Sequence, residues 1–251
     1  MTHPATPGSA APTPTPSVHT SRPSSGHHYR ASSSAPKSSS ASPRPGSTHA
    51  APHAAKLPLT YPTHGAGQVI TVVAPREFDT QATLQAWRAV PGGWRRVGPS
   101  LPAWLGTTGM TPQPSESKSA TPMGSYTLTQ AFGHDSNPGT SLPYTQTTPA
   151  DWWISEPGPL YNTLQHCSSG CAFTQGDPNE HLYYETPYYN YAVVIDYNRS
   201  PVRQGAGSAF FLHVSVGAPT AGCVSIEQSQ LVRIMRWLRP HDHPRILIGT
   251  G

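Results

Sequence analysis

His213 and Cys223 are the two residues of this chain best suited to act together on a substrate. A thiol attacks carbonyl carbon as the thiolate, and a neighbouring imidazole favours that form by pairing with it as imidazolium. The two stand ten residues apart within 207–226, GSAFFLHVSVGAPTAGCVSI, too far to touch along extended chain. Gly217, Pro219 and Gly222 supply a reversal that brings them together. Gly222 also leaves room for a substrate to approach the N–H groups beside the thiol, which can serve as an oxyanion hole. Taken singly, a strand histidine packs and a free cysteine behaves as a small buried hydrophobe. Joined by a glycine-rich turn, they point to nucleophilic catalysis.

These residues need elements to hold them. Residues 209–214 read as a buried strand that delivers His213, and residues 68–74 as a second, β-branched strand ending at Pro75. Residues 83–90, Pro91-Gly92-Gly93 and residues 94–97 predict a hairpin, followed by an apolar connector over 101–106. Thr121-Pro122-Met123-Gly124 sets a tight turn ahead of a strand over 125–131, and 133–151 reads as a loop or lid. Residues 191–198 form another strand, and 245–248 the last. Adjacent Trp152 and Trp153 cannot both face one core from a strand, so one is expected at a surface or cleft. Tyr161, Asn162 and the tyrosines from Tyr183 to Tyr191 add aromatic surface, either an acceptor cleft or edge packing. Ser225 is predicted to open the only convincing helix. Ser225-x-x-Gln228 has capping-box spacing, Leu231, Ile234, Met235 and Leu238 share a face, and Pro240 ends it. A helix starting there would turn its positive end toward the thiol.

Thirty prolines, 22 glycines and only 11% charged residues are unevenly spread over the 251 positions. Met1 to about Lys56 is nearly all Ser, Thr, Pro, Ala, Gly and His, which cannot bury enough surface to offset its ordering entropy. Residues 1–66 are therefore expected to be a disordered tail or linker, and 67–251 the folded domain. The net charge of +4 comes without basic, aromatic-laced clusters or a nucleic-acid motif, so no nucleic-acid partner is expected, and basicity this mild is only compatible with adsorption to an anionic polymer such as a cell wall. No apolar run is long enough to span a membrane, and Met1-Thr2-His3-Pro4 opens no secretory signal. Cys167 and Cys171 frame a CSSGC segment that can close a disulfide in an oxidising compartment, three reduced thiols being the alternative. Cys223 is then the odd thiol. The histidines at 27, 28, 49, 53 and 64, and His241-x-His243, lack ligand spacing, so no metal site is expected.

HVSVGAPTAGCVSI resembles the active-site segment of L,D-transpeptidase (YkuD-like) catalytic domains, which carry a His, a loop, then Ser/Thr-His-Gly-Cys and an apolar residue. His213, Thr220, Gly222, Cys223 and Val224 match it. Ala221 stands at the second His, Ser225 where Arg or Asn often follows, and the spacing is the shorter one of a PTAGC branch. TPMG at 121–124 resembles the family's TPxG-aromatic turn, residues 106–118 a family loop, and Asp196 with Asn198 its strand-end pair, turn capping being the alternative for Asp196. The resemblance covers 68–248. It implies a mostly-β, sandwich-like catalytic domain with one C-terminal helix behind the tail, placed outside the cytoplasm.

It also implies a reaction. Cys223 attacks the carbonyl of the third residue of a peptidoglycan stem tetrapeptide, and His213 accepts the thiol proton and then protonates the departing D-alanine. The Val214 carbonyl orients the imidazole, and the N–H groups of Ala221, Gly222 and Cys223 hold the oxyanion. An amine of a second stem resolves the thioester into a 3→3 cross-link. Thr220, Trp153, Tyr191 and Asn198 are the expected substrate contacts, and no cofactor or metal is required. Three alternatives remain: an L,D-carboxypeptidase, a zinc module built on Cys167, Cys171, His213 and Cys223, and a non-catalytic wall-binding protein.

Overall fold

Strands dominate because apolar, β-branched residues recur in short runs separated by Gly and Pro, and each run buries its side chains against the next. A computed structural model describes residues 54–251, which lie in one compact unit. The expected tail, with His27, His28, His49 and His53, lies outside the described residues up to 53. Its last stretch, 54–66, was expected to belong to it and does not. Ala55 bridges Trp94, while Leu59 and Ala66 are buried beside Val69, Trp87 and Leu247. A few apolar residues in a Pro-rich run suffice to dock it.

In chain order the strands are β1 (Gln68–Ala74), β2 (Gln81–Val90), β3 (Gly93–Trp104), β4 (Met110–Thr111), β5 (Thr121–Pro122), β6 (Gly124–Thr127), β7 (Ala131–Gly133), β8 (Tyr144–Gln146), β9 (Asp151–Trp153), β10 (Leu164–His166), β11 (Glu180–His181), β12 (Ala192–Val194), β13 (Phe211–Val214) and β14 (Val224–Ile226). Helix α1 (Gln228–Trp237) and strand β15 (Arg245–Thr250) follow. Ten strands form one sheet in the order β6-β15-β1-β2-β3-β14-β13-β12-β7-β8, and β10-β9-β11 form a second. The domain is mostly β with one α-helix among the described residues. One face of the large sheet curls around a core to which Ile70, Val72, Val193, Leu212, Val224 and Ile246 contribute, and Leu231, Ile234 and Met235 of α1, with Leu238 just past its end, fill it.

Several expected boundaries move. The first four residues of the apolar connector, 101–104, are the end of β3, paired with β2 as far as Gln81↔Trp104. The strand expected over 125–131 breaks into β6 and β7, and the loop after it contains β8. Residues 191–198 keep only three residues of strand, because Asp196 turns the chain by accepting from the Thr127 and Thr129 hydroxyls, each at 2.8 Å. Both tryptophans are buried, Trp152 at 5% and Trp153 at 1% exposure. β9 is the central strand of its sheet and is covered on both sides: His181 stacks on Trp152 at 3.8 Å, and Phe132 and Phe211 flank Trp153.

The helix start is also corrected. Ser225 lies in β14, opposite His213 on one side and Trp104 on the other. Glu227 is the N-cap; its carboxylate accepts from the N–H groups of Ser229 at 2.9 Å and Gln230 at 3.1 Å. The first N–H groups of α1 are thus occupied by a side chain before any thiol could use them. Glu227→Ala is expected to lower stability by about 1 kcal/mol, read from urea unfolding followed by circular dichroism.

Candidate active site

β13 and β14 run parallel with Leu212 opposite Val224 and His213 opposite Ser225. Side chains alternate faces along a strand, so His213 shares its face with Ser225, with Phe211 and with Cys223, two residues before Ser225. The opposite face, Leu212, Val214, Val224 and Ile226, belongs to the main core. The reversal therefore does more than fold a hairpin. It carries the chain back over 215–223 to start β14 beside the beginning of β13. Gly222 sits in that turn at φ +150°, and a Cβ there would lie 2.7 Å from the Phe210 ring. Packing against Phe210 demands the glycine whatever substrate does.

The thiol and the imidazole rest neutral. Cys223 is the free cysteine and is buried, and its Sγ donates toward the Ala209 carbonyl at 3.4 Å while accepting from the Phe211 N–H at 3.3 Å. Burial pushes the thiol well above its ordinary range; the charge of Glu180 pushes the same way, and the Phe211 N–H opposes. His213 donates Nδ1–H to the Val214 carbonyl at 2.8 Å, which leaves Nε2 as the acceptor. Burial lowers its pKa to about 4 against that hydrogen bond. The expected thiolate–imidazolium pair is thus replaced by thiol and imidazole, because a charge pair in a dry pocket must overcome the desolvation of both groups.

Cys223 and His213 both line a cleft of about 420 Å³. The loop around Glu116 and Lys118, the loop 216–222 and the segment from Pro178 to Tyr189 line it, together with Thr220, Ala221, Gly222 and Ser225. The Thr220 hydroxyl donates to the Cys223 carbonyl at 2.7 Å and accepts the Gly222 N–H at 3.1 Å. Gly222 is therefore spent inside the loop. The N–H groups of Ala221 and Cys223 have no acceptor among the described residues, which leaves two rather than three donors for an oxyanion. Trp153, Tyr191 and Asn198 do not line the cleft. Trp153 is core, Tyr191 packs on the main core, and Asn198 holds its own loop through Arg203 and Gly207. Of the tyrosines, Tyr188 and Tyr189 reach the cleft, and both rings stand edge-on to His213, at 6.0 and 5.6 Å.

Four residues matter more than their sequence context suggests. Asn162 is buried and joins Trp153 Nε1 (3.0 Å) and the Ala209 N–H (3.2 Å) through its oxygen, and the carbonyls of Tyr197 and Asn198 through its amide. Ala209, at φ +56°, holds a conformation few non-glycine residues adopt and aims its carbonyl at Cys223. Thr121, from the TPMG turn, accepts the Gly106 N–H and lies 3.4 Å from the Cys223 carbonyl. Glu180 accepts from the Tyr189 hydroxyl, and burial pushes its pKa up to about 7, with Glu185 and Glu116 adding to the shift. Only Thr121 had a local sequence signal.

Cys167 and Cys171 form a disulfide. That removes two thiols from the alternative zinc set. Among the described residues no group of three Cys, His, Asp or Glu side chains is gathered for a metal, and no helix is long and apolar enough to cross a membrane.

A buried cysteine and a histidine oriented by a backbone carbonyl, on one face of paired strands and lining one cleft, are groups that cysteine acyl transfer calls for. A family model, the L,D-transpeptidase catalytic domain (YkuD), matches residues 69–248, and the chain belongs to this family. No curated protein and no solved structure gives a match.

Two measurements check the site. Thiolate absorbance of the native protein minus that of Cys223→Ala should show no step near the ordinary thiol pKa of about 8.5. A step at or below that value would restore the ion pair. Asn162→Leu, which strands the Ala209 N–H and the indole N–H, should destabilise the fold by about 2–4 kcal/mol in urea unfolding.

Proposed function

We propose that this protein is a cysteine-dependent L,D-transpeptidase that forms 3→3 cross-links between peptidoglycan stem peptides. The observation that carries the reading is the placement of Cys223 and His213 on one face of paired parallel strands, opening into a single cleft. Family membership supplies the substrate class, peptidoglycan stems, and the extracytoplasmic setting; the disulfide suits that setting.

The donor tetrapeptide enters the cleft with the carbonyl of its third residue near Sγ. His213 Nε2 takes the thiol proton as the sulfur attacks, so the negative charge develops on the substrate's carbonyl oxygen instead of resting on sulfur. The N–H groups of Ala221 and Cys223 hold the oxyanion, and Thr220 and Thr121 fix the Cys223 carbonyl so that those donors stay in place. His213 then protonates the amine of the departing D-alanine, leaving a thioester on Cys223. The amine of a second stem attacks it to form the new amide. No step calls on a cofactor. If water takes the amine's place, the same groups perform an L,D-carboxypeptidase reaction.

A carbapenem should acylate the wild-type protein, giving an intact-mass shift that is absent in Cys223→Ala, whereas a penicillin should leave no lasting adduct. His213→Gln should keep the fold and slow acylation by about two to four orders of magnitude. An equal rate would move the base elsewhere. Because the imidazole stays neutral down to about pH 4, the acid limb of the acylation profile should fall between pH 6.5 and 4 rather than centre on the ordinary value of about 6.5.

A further inference from the structure

The cleft beside Cys223 is acidic: Glu116, Glu180 and Glu185 line it against Lys118. Tyrosine hydroxyls fix two of the carboxyl groups, Tyr161 donating to Glu116 and Tyr189 to Glu180. Glu180 differs from the other two, which are exposed. It is half-buried on β11, in register with Trp153, and its anchor Tyr189 is a buried ring packed against both His213 and Phe211. A carboxylate in this place works against ionisation of Cys223, so it hinders the attack of the thiol on the donor. A group that opposes the first half of the reaction, yet is held beside the nucleophile by a dedicated hydrogen bond, finds its use in the second half.

That half has an unmet proton demand. A primary amine on a stem peptide reaches the cleft as ammonium, without a lone pair, and must lose two protons to become an amide. His213 is neutral again after protonating D-alanine and can take one of them. The other must leave before the nitrogen can attack. We propose that Glu180, held by Tyr189 on the cleft wall, binds the acceptor ammonium and removes its first proton, giving the enzyme one base for the thiol and another for the amine.

The steps balance. R–NH3+ and the Glu180 carboxylate give R–NH2 and the carboxylic acid. The nitrogen adds to the thioester carbon, forming C–N, and the C–S bond breaks. His213 takes the second proton from nitrogen and returns it to the departing sulfur. Glu180 then releases its proton to solvent. An ordinary carboxylate is too weak a base for this exchange near neutrality, but this one, desolvated and facing Glu185 and Glu116, is pushed up to about 7. Tyr189 pulls it the other way, and Cys223 and His213 contribute no charge at rest.

The inference rests on the amine-acceptor reading above, and one experiment separates their failures. The whole protein and its Glu180→Gln variant are given a disaccharide-tetrapeptide donor and either of two acceptors: a lysine-type alkylamine, protonated at neutral pH, or hydroxylamine, which is not. Glutamine keeps the shape and can still accept from Tyr189. Alkylamine transfer should fall by about two orders of magnitude in Glu180→Gln, and the ratio of hydroxylamine to alkylamine transfer should rise correspondingly. Acyl-enzyme should form no more slowly, since a negative charge beside the thiol is gone. Tyr189→Phe, which keeps the carboxylate but loosens it, should shift the same ratio several-fold in the same direction. Equal alkylamine transfer in wild type and Glu180→Gln, or an equal loss with both amines, would overturn the inference while leaving the transpeptidase reading standing. Absence of any acyl-enzyme in the wild type would overturn both.

Discussion

The parallel pairing of β13 with β14 is the constraint on which the site depends. With Leu212 opposite Val224, the period of two along a strand puts the thiol and the imidazole on one face and four core residues on the other. A slip of one residue would turn His213 into the core and expose Val214. The apolar face fixes the register because it is buried against α1 and the rest of the curled sheet. The same contacts that stabilise the domain therefore set the geometry of the candidate site.

Burial has a second consequence. The burial that lowers the pKa of His213 and raises that of Cys223 leaves a thiol and an imidazole at rest. In the proposed reaction, reactivity becomes conditional on substrate, whose carbonyl provides both the electrophile and the charge that the loop N–H groups can receive. A cysteine kept protonated at rest is also less exposed to oxidation and to adventitious electrophiles. Asn162, Ala209 and Thr121 are the supports of this state: none need touch substrate, and each sets the position of the cysteine or of the backbone atoms bonded to it.

Much of this was legible in the sequence. The strands over 68–74 and 245–248, the Pro-Gly-Gly hairpin and the Cys223–His213 pair are local signals, carried by β-branched runs, turn residues and a motif. The tight TPMG turn was legible too, though not that its threonine lies beneath the cysteine loop. What escaped depends on long-range contacts. Trp152 and Trp153 can both be buried only because each face of β9 is covered, Trp152 by His181 and Trp153 by Phe132 and Phe211. Leu59 could not be recognised as core without Trp87 and Leu247. The helix start was misplaced because Ser225 satisfies a capping-box spacing that the pairing of β14 overrides, leaving Glu227 to do the capping. Glu180 lies in a polar stretch with no motif at all, and its significance arises from a cleft assembled out of segments far apart in the chain.

The central claim is a covalent intermediate on one sulfur. The most direct measurement is intact mass and peptide mapping of the protein mixed rapidly with a disaccharide-tetrapeptide in the absence of any amine. The account predicts a thioester on Cys223, formed with one equivalent of free D-alanine and missing in Cys223→Ala. Release of D-alanine that persists in Cys223→Ala, or a folded wild-type protein that never gains the donor's mass, would contradict it.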